Sequence, residues 1–213
     1  MSQQHGQILP APWSAKTRVH EMGGLAWLVA EWAGEPGLLF CHDDDQRLYW
    51  KVPGGQPEAV TPPSPDGVSW RYCDMLVCGN EVWAIREADR HGATTRAIVA
   101  ISRDGVVRVL EDSSHFYAHL ALAPGGGHLA WVCWEHPDMP WDATELRVAA
   151  VHGGLLATPV TLLAGRAAVQ SPAWVDDVTL AAITDRSGWW NPWLVPLDGP
   201  PRQLVDEPRE WGV

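Results

Sequence analysis

Residues 120–163 read LALAPGGGHLAWVCWEHPDMPWDATELRVAAVHGGLLATPVTLL. They contain four short apolar runs separated by a Pro-Gly-Gly-Gly turn, a polar loop with two prolines, and a Gly-Gly turn. Short runs rich in Val, Leu and Trp between Gly/Pro clusters are typical of strands rather than helices. Four such strands with tight connections predict an antiparallel meander, which is the blade of a β-propeller.

The rest of the chain repeats this unit. The apolar run that forms the third strand of the unit recurs with starts 46 to 50 residues apart, a period typical of propeller blades, at 47–52, 96–101, 146–151 and 192–197. No amphipathic helical run of the length that a helical solenoid needs is present in the sequence. The sequence therefore predicts an all-β fold with four four-stranded antiparallel blades, at about 24–63, 70–112, 117–165 and 171–205.

The residues outside these blades are interpreted as parts of further blades. Residues 1–23 are predicted to be the end of a preceding blade and a connector, and residues 206–213 to be the start of a missing blade. An array cut at both ends leaves two apolar faces uncovered, so self-association through those faces is expected. Closure of four blades into a small ring is the alternative to an open arc.

Composition and charge exclude several functional classes. The chain has 213 residues and a formal charge of −11, with only 15 Lys and Arg to contact phosphates, which argues against nucleic-acid binding. The longest apolar stretch, 25–30, is too short to cross a membrane, and the N-terminus lacks a signal-peptide pattern. The four cysteines include no C-x-x-C pair, which favours reduced core thiols in a cytoplasmic protein over secreted disulfides.

No sequence motif for a nucleophile, metal or cofactor is evident. There is no G-x-S-x-G elbow, and the adjacent Ser and His of 112–115 cannot form a triad, whose members converge from separate segments. His115 and His119 lack further ligands at metal-site spacing, and Asp43, Asp44 and Asp45 lack the alternation and glycine of a calcium loop. We expect no catalytic residue, metal or cofactor in this chain.

Two longer loops are the candidates for a binding rim. Residues 135–145 and 184–193 both follow the second strand of their blade, so they emerge on the same face of a propeller. A functional rim and a purely structural role, with Asp capping the loop and Trp packed between blades, are both open. The candidate rim residues in these loops are Glu135, His136, Asp138, Trp141, Asp142, Asp185, Arg186 and Trp189.

Four motifs resemble the N-terminal propeller of prolyl oligopeptidase family serine peptidases, of the bacterial acylaminoacyl-peptidase or dipeptidyl-aminopeptidase type. They are WEHPDMPWDATEL (134–146), TDRSGWWNPW (184–193), TRVHEMGG (17–24) and HFYA (115–118). The sequence differs from the family pattern at the blade turns APGGG (123–127) and WVDD (174–177), where the family usually has S-P-D-G. The family carries its Ser, Asp and His on an α/β-hydrolase domain, to which no position here corresponds.

The resemblance implies a non-catalytic, partial propeller that gates the access of short peptides to a hydrolase domain outside this chain. By the same resemblance, Glu21 and Asp138 are the candidates to bind the ammonium group of a substrate. One alternative is a stand-alone TolB-like propeller scaffold that binds a protein partner. Another is a truncated gene product without a selected activity.

Overall fold

The computed structural model describes residues 8–212, and every regular element within that range is a β-strand. These residues therefore contain no helix long and apolar enough to cross a membrane. The strands form four separate antiparallel sheets, which confirms the predicted all-β fold class. The strand bounds in the first two sheets are β1 Trp27–Trp32, β2 Glu35–Cys41, β3 Leu48–Lys51, β4 Glu58–Ala59, β5 Ser69–Cys78, β6 Glu81–Arg90, β7 Ala93–Ile101 and β8 Val107–Glu111.

The third and fourth sheets repeat the same up-and-down order. Their strands are β9 Phe116–Leu122, β10 His128–Trp134, β11 Glu145–His152, β12 Leu155–Leu156, β13 Val160–Leu163, β14 Val169–Trp174, β15 Thr179–Thr184, β16 Asn191–Pro196 and β17 Arg202–Gln203. The third sheet differs from the predicted four strands because two short strands, β12 and β13, both pair with β11. The Gly153–Gly154 turn folds β12 back on the end of β11 before the chain continues into β13.

The blades pack face to face through three apolar cores. One core joins the first and second blades around Leu39 and Val99, one joins the second and third around Trp83 and Trp131, and one joins the third and fourth around Leu180. Alternate residues of each strand point to opposite faces of its sheet, so a blade in the middle of the array buries both faces.

The array is an open arc. Among residues 8–212 no apolar core joins the fourth blade to the first, whereas a closed ring of four blades requires four such cores. The face of the first blade that points away from the second is partly uncovered, with Trp27 50% and Val29 68% exposed. The structure therefore favours the arc over the small closed ring.

The segments before and after the blades cover part of these outer faces. The ring of Trp13 lies 6.0 Å from that of Phe40 and 4.9 Å from that of Tyr49, both on the first blade, and Ala15 forms an isolated bridge with His42. At the other end, the Trp211 amide donates to the carbonyl of Trp190 in the fourth blade. Residues 8–23 and 206–212 thus fold against the blades, and their assignment to further blades stays a prediction.

Candidate functional site

One end of the sheets collects the loops between second and third strands. In a four-stranded meander, that loop lies at the same end as the segment that leaves the fourth strand for the next blade. We call this end the connector end; it carries the loops 42–47, 91–92, 135–144 and 185–190 and the connector 112–115. Every rim residue predicted in the two longer loops therefore lies at one end of the molecule.

Residues 16–24, which we call the clip, cross the connector end from the first blade to the third. Arg18 Nη2 lies 2.8 Å from Asp43 Oδ1 in the first blade, and the Arg18 carbonyl accepts a bond from Arg71 in the second. The His20 ring packs against the rings of Phe116 and Trp134 in the third blade, at 5.6 and 5.5 Å. The clip then enters β1 through Gly24.

Glu21 lies at the turn of the clip. Its amide donates to the Arg18 carbonyl at 3.0 Å, and the residue itself is exposed. Both His20 and Glu21 have left-handed backbone conformations, with φ of 56° and 59°. Such conformations are uncommon for residues other than glycine and persist where surrounding contacts hold them. The predicted ammonium ligand is therefore presented to solvent on a constrained turn.

Glu135 and His136 form a polar group with His115 of the connector. Glu135 Oε2 lies 2.6 Å from His115 Nδ1 and accepts the His115 amide at 3.1 Å. The His136 amide lies 3.2 Å from the same ring nitrogen. His115 and His136 border an open depression of about 420 Å³ between the second and third blades, which Arg96 and Phe116 also line.

The remainder of the 135–144 loop divides into capping and exposed residues. Asp142 Oδ2 accepts the Met139 amide at 3.0 Å, so this carboxylate caps the loop as a structural role requires. Asp138 is exposed and borders a second, smaller depression next to Arg147. Trp141 is 57% exposed, an unusual state for so large an apolar side chain.

The loop of the fourth blade has the same mixture. Asp185 Oδ1 accepts the Ala168 amide at 2.7 Å, and the Arg186 guanidinium lies 5.2 Å from the centre of the Trp193 ring. Trp189 is 42% exposed. Asp185 and Arg186 therefore have partners that hold the loop itself, while Trp189 offers an apolar contact to solvent.

The structure brings together only part of the predicted set. Glu21, Glu135 and His136 belong to neighbouring segments, because the His20 ring of the clip packs on Trp134, the residue before Glu135. Among the described residues no hydrogen bond or ion pair connects these three to Asp185 or Arg186.

Sequence reasoning missed an ion cluster beneath the clip. The Glu87 carboxylate is 2% exposed and lies 3.0 Å from Arg71 Nη1 and 2.8 Å from Arg96 Nη2. Glu87 faces Arg71 on β5 and Arg96 on β7 in the strand register. Opposite charges near the ends of three consecutive strands were the available signal, and the sequence alone does not show that they are buried.

Two groups of side chains at this end bear on its chemistry, the cysteines and the carboxylates. Burial raises the pKa of Cys41 and of Cys133 to about 11, so neither thiol is an ionised nucleophile at neutral pH. Within residues 8–212, no three His, Cys, Asp or Glu side chains come together as a metal-binding group. What the region offers is exposed carboxylates beside aromatic rings, which suit a small cation.

Fold and site together define the class: an open β-propeller segment with a carboxylate-bearing clip at one end. A puromycin-hydrolysing peptidase of Mycobacterium tuberculosis matches 95% of this chain with 40% identity and a TM-score of 0.85. A puromycin hydrolase matches 94% of it with 36% identity and the same TM-score. A TolB-type protein of Agrobacterium tumefaciens, at 16% identity and a TM-score of 0.61 over 85% of this chain and 62% of its own, is similar in fold.

The chain corresponds to the propeller region of prolyl oligopeptidase family peptidases, which confirms the resemblance found in its motifs. It spans about a third of the length of the two puromycin-hydrolysing relatives, 34% and 33%. No protein-family model and no curated protein matches the chain.

Proposed function

We propose that this chain is the non-catalytic, substrate-gating part of a peptidase that acts on short peptides, and that its clip anchors the amino terminus of the peptide. The observation that carries the proposal is the 40% identity to the puromycin-hydrolysing peptidase over 95% of this chain. The exposed carboxylate of Glu21 on its constrained turn supports the anchoring role. Peptide-bond cleavage then requires an α/β-hydrolase domain that is not among these residues.

The electrostatics favour a cationic ligand. The net charge of −11 attracts ammonium groups, and Glu135 and Asp138 add carboxylates in the loop next to the clip. We also propose a cytoplasmic location, because all four cysteines are free and three of them are buried.

The experiment compares two peptides that differ only in the charge at the N-terminus: trialanine amide and its N-acetylated form, titrated calorimetrically into the chain. We expect the free amine to bind roughly tenfold more tightly, the ratio that corresponds to about 1.4 kcal/mol from one charge-assisted contact. The variant Glu21→Gln should lose this preference, since a neutral amide does not attract the ammonium.

The matched control is Glu58→Gln, which removes an exposed carboxylate from β4 in the first blade. This variant should keep the preference of the wild type. Equal affinity of the wild type for both peptides contradicts the anchoring role.

A second candidate is a scaffold that binds a protein partner through the connector end. The exposed rings of Trp141 and Trp189 favour it, because exposed aromatic side chains are common at the centres of protein interfaces. In that case neither tripeptide binds measurably, and Glu21→Gln has no effect.

A further inference from the structure

The starting point is the buried carboxylate of Glu87. A carboxylate removed from water is strongly unfavourable unless opposite charges and hydrogen bonds compensate it. Arg71 and Arg96 supply two positive charges at 3.0 and 2.8 Å. Arg96 is itself fixed, since its guanidinium lies 4.2 Å from the centre of the Phe116 ring and donates to the His115 carbonyl. Glu87 is thus rigidly placed between the second and third blades.

Glu87 also reaches the clip. Its Oε2 accepts the backbone amide of His20 at 3.0 Å, across 67 residues of sequence. Because His20 and Glu21 both have positive φ, the turn needs a contact that favours this conformation over the ordinary right-handed one. A charged acceptor for the His20 amide is such a contact, because bonds to ionised groups are about twice as strong as neutral ones.

Side chains of the clip secure the turn on both sides of this bond. Val19 is fully buried in the core between the second and third blades. The His20 ring packs against Phe116 and Trp134. Arg71 bonds both Glu87 and the Arg18 carbonyl, which in turn accepts the Glu21 amide. Glu21 is exposed, whereas the other exposed charged side chain of the turn, Arg18, is paired with Asp43.

We propose that Glu87 is a positioning residue for the peptide amine: through the His20 amide it fixes the left-handed turn that presents the Glu21 carboxylate. The inference rests on the proposed function, because Glu21 must first be the group that binds the amine. Glu87 itself is buried and touches no ligand. Its replacement should therefore reduce the preference for the free amine without changing the affinity for the acetylated peptide.

The test uses Glu87→Gln in the same pair of titrations. We expect the preference for the free amine to fall from roughly tenfold to about twofold or less, while the acetylated peptide binds as it does to the wild type. A merely structural role lowers both affinities together. The matched control is Glu81→Gln, on the same strand, which breaks the ion pair with Arg108 at the opposite end of the sheet and should leave both affinities unchanged.

A second variant covers the case in which Glu87→Gln does not fold, as judged by its amide NMR spectrum. Arg71→Gln removes one cation and one donor to the clip while Arg96 still pairs with Glu87, and it should reduce the preference in the same direction by a smaller factor.

The outcomes separate the two proposals. If Glu21→Gln loses the preference but a folded Glu87→Gln retains it, the positioning role is wrong and the anchoring role stands. If the wild type binds both peptides equally, the anchoring role is wrong, and the positioning role that depends on it is wrong as well. A preference that survives in Arg71→Gln, where Glu87→Gln is unfolded, also overturns the positioning role.

Discussion

The packing of the clip against the blades shifts the pKa of His20. Burial and the nearby Arg96 cation lower its pKa from 6.5 to about 4, although Glu87 and Asp74 act in the opposite direction. The imidazole is therefore neutral at neutral pH. It acts as an aromatic side chain that packs on Phe116 and Trp134, while its amide contacts Glu87.

This lowered pKa predicts a pH dependence of stability. As the pH falls below 6.5, the unfolded chain binds a proton at His20 before the folded chain does, so stability is lost between pH 6.5 and about 4. The variant His20→Asn has a side chain that tolerates a left-handed backbone and lacks the titrating imidazole. Between pH 7 and 5, the free energy of unfolding of this variant should therefore decrease by about 1–2 kcal/mol less than that of the wild type. Denaturant unfolding at both pH values measures the difference.

The control for this prediction is His152→Asn, which replaces an exposed histidine at the end of β11 and should keep the wild-type pH dependence. His119, whose pKa is also lowered by burial, contributes equally to all three proteins. An unchanged dependence in His20→Asn contradicts the assigned pKa.

The sequence indicated some residues of the proposed site, and their role stays a prediction. Glu21 was selected because it lies in the motif TRVHEMGG, and Glu135 because it lies in a long polar loop. Glu87 was not found, because only the register of β6 against β5 and β7 reveals its two arginine partners. Register depends on contacts that are far apart in sequence, and a single sequence does not fix them.

The first strand of the second, third and fourth blades contains a β-bulge, and the bulge of the second blade connects it to its neighbours. The pairing of β5, β9 and β14 with its neighbour shifts register at corresponding places, next to the left-handed residues Asp74, His119 and Ser171. Asp74 Oδ1 accepts the Leu25 amide of the first blade at 2.8 Å, and Oδ2 accepts the His119 amide of the third at 2.7 Å. One carboxylate thus bridges three blades.

Asp74→Asn tests this bridge. The amide keeps one acceptor oxygen and tolerates the left-handed backbone, but its NH₂ group faces an amide donor, so one charge-assisted bond is lost. We expect a loss of about 1–2 kcal/mol in the free energy of unfolding, reduced from the buried value because the site is partly exposed. Urea unfolding measures it.

Asp176→Asn is the control, because within residues 8–212 the Asp176 carboxylate accepts only the Val178 amide of its own turn, and the change should alter stability by less than about 0.5 kcal/mol. Equal losses in the two variants contradict the bridging role.

The strands were predictable from the alternation of apolar residues and from the turn residues. The bulges were not predictable, since a bulge adds one residue without changing the apolar pattern that marks a strand.

The whole molecule is an arc with a partly uncovered first blade. The depression on its outer face is lined by Val29, Leu38 and Val52 and is open to solvent. Apolar surface of this kind favours association, so we infer that copies associate through this face at high concentration. The number of blades was predictable from the repeat of 46 to 50 residues, whereas the openness of the array was not, because blade period does not specify how the ends meet.

The most direct test of the open arc is a distance between spin labels, measured by pulsed electron resonance. The labels replace Ala33, Asn80 or Asp176, which are exposed and occupy the turn between the first two strands of the first, second and fourth blades. The half-buried Cys78 is changed to Ser, and labelled protein is diluted with unlabelled protein so that only distances within one chain contribute. The arc predicts that the 33–176 pair is clearly further apart than the 33–80 pair of adjacent blades, and equal distances would show a closed ring of four blades and contradict the account.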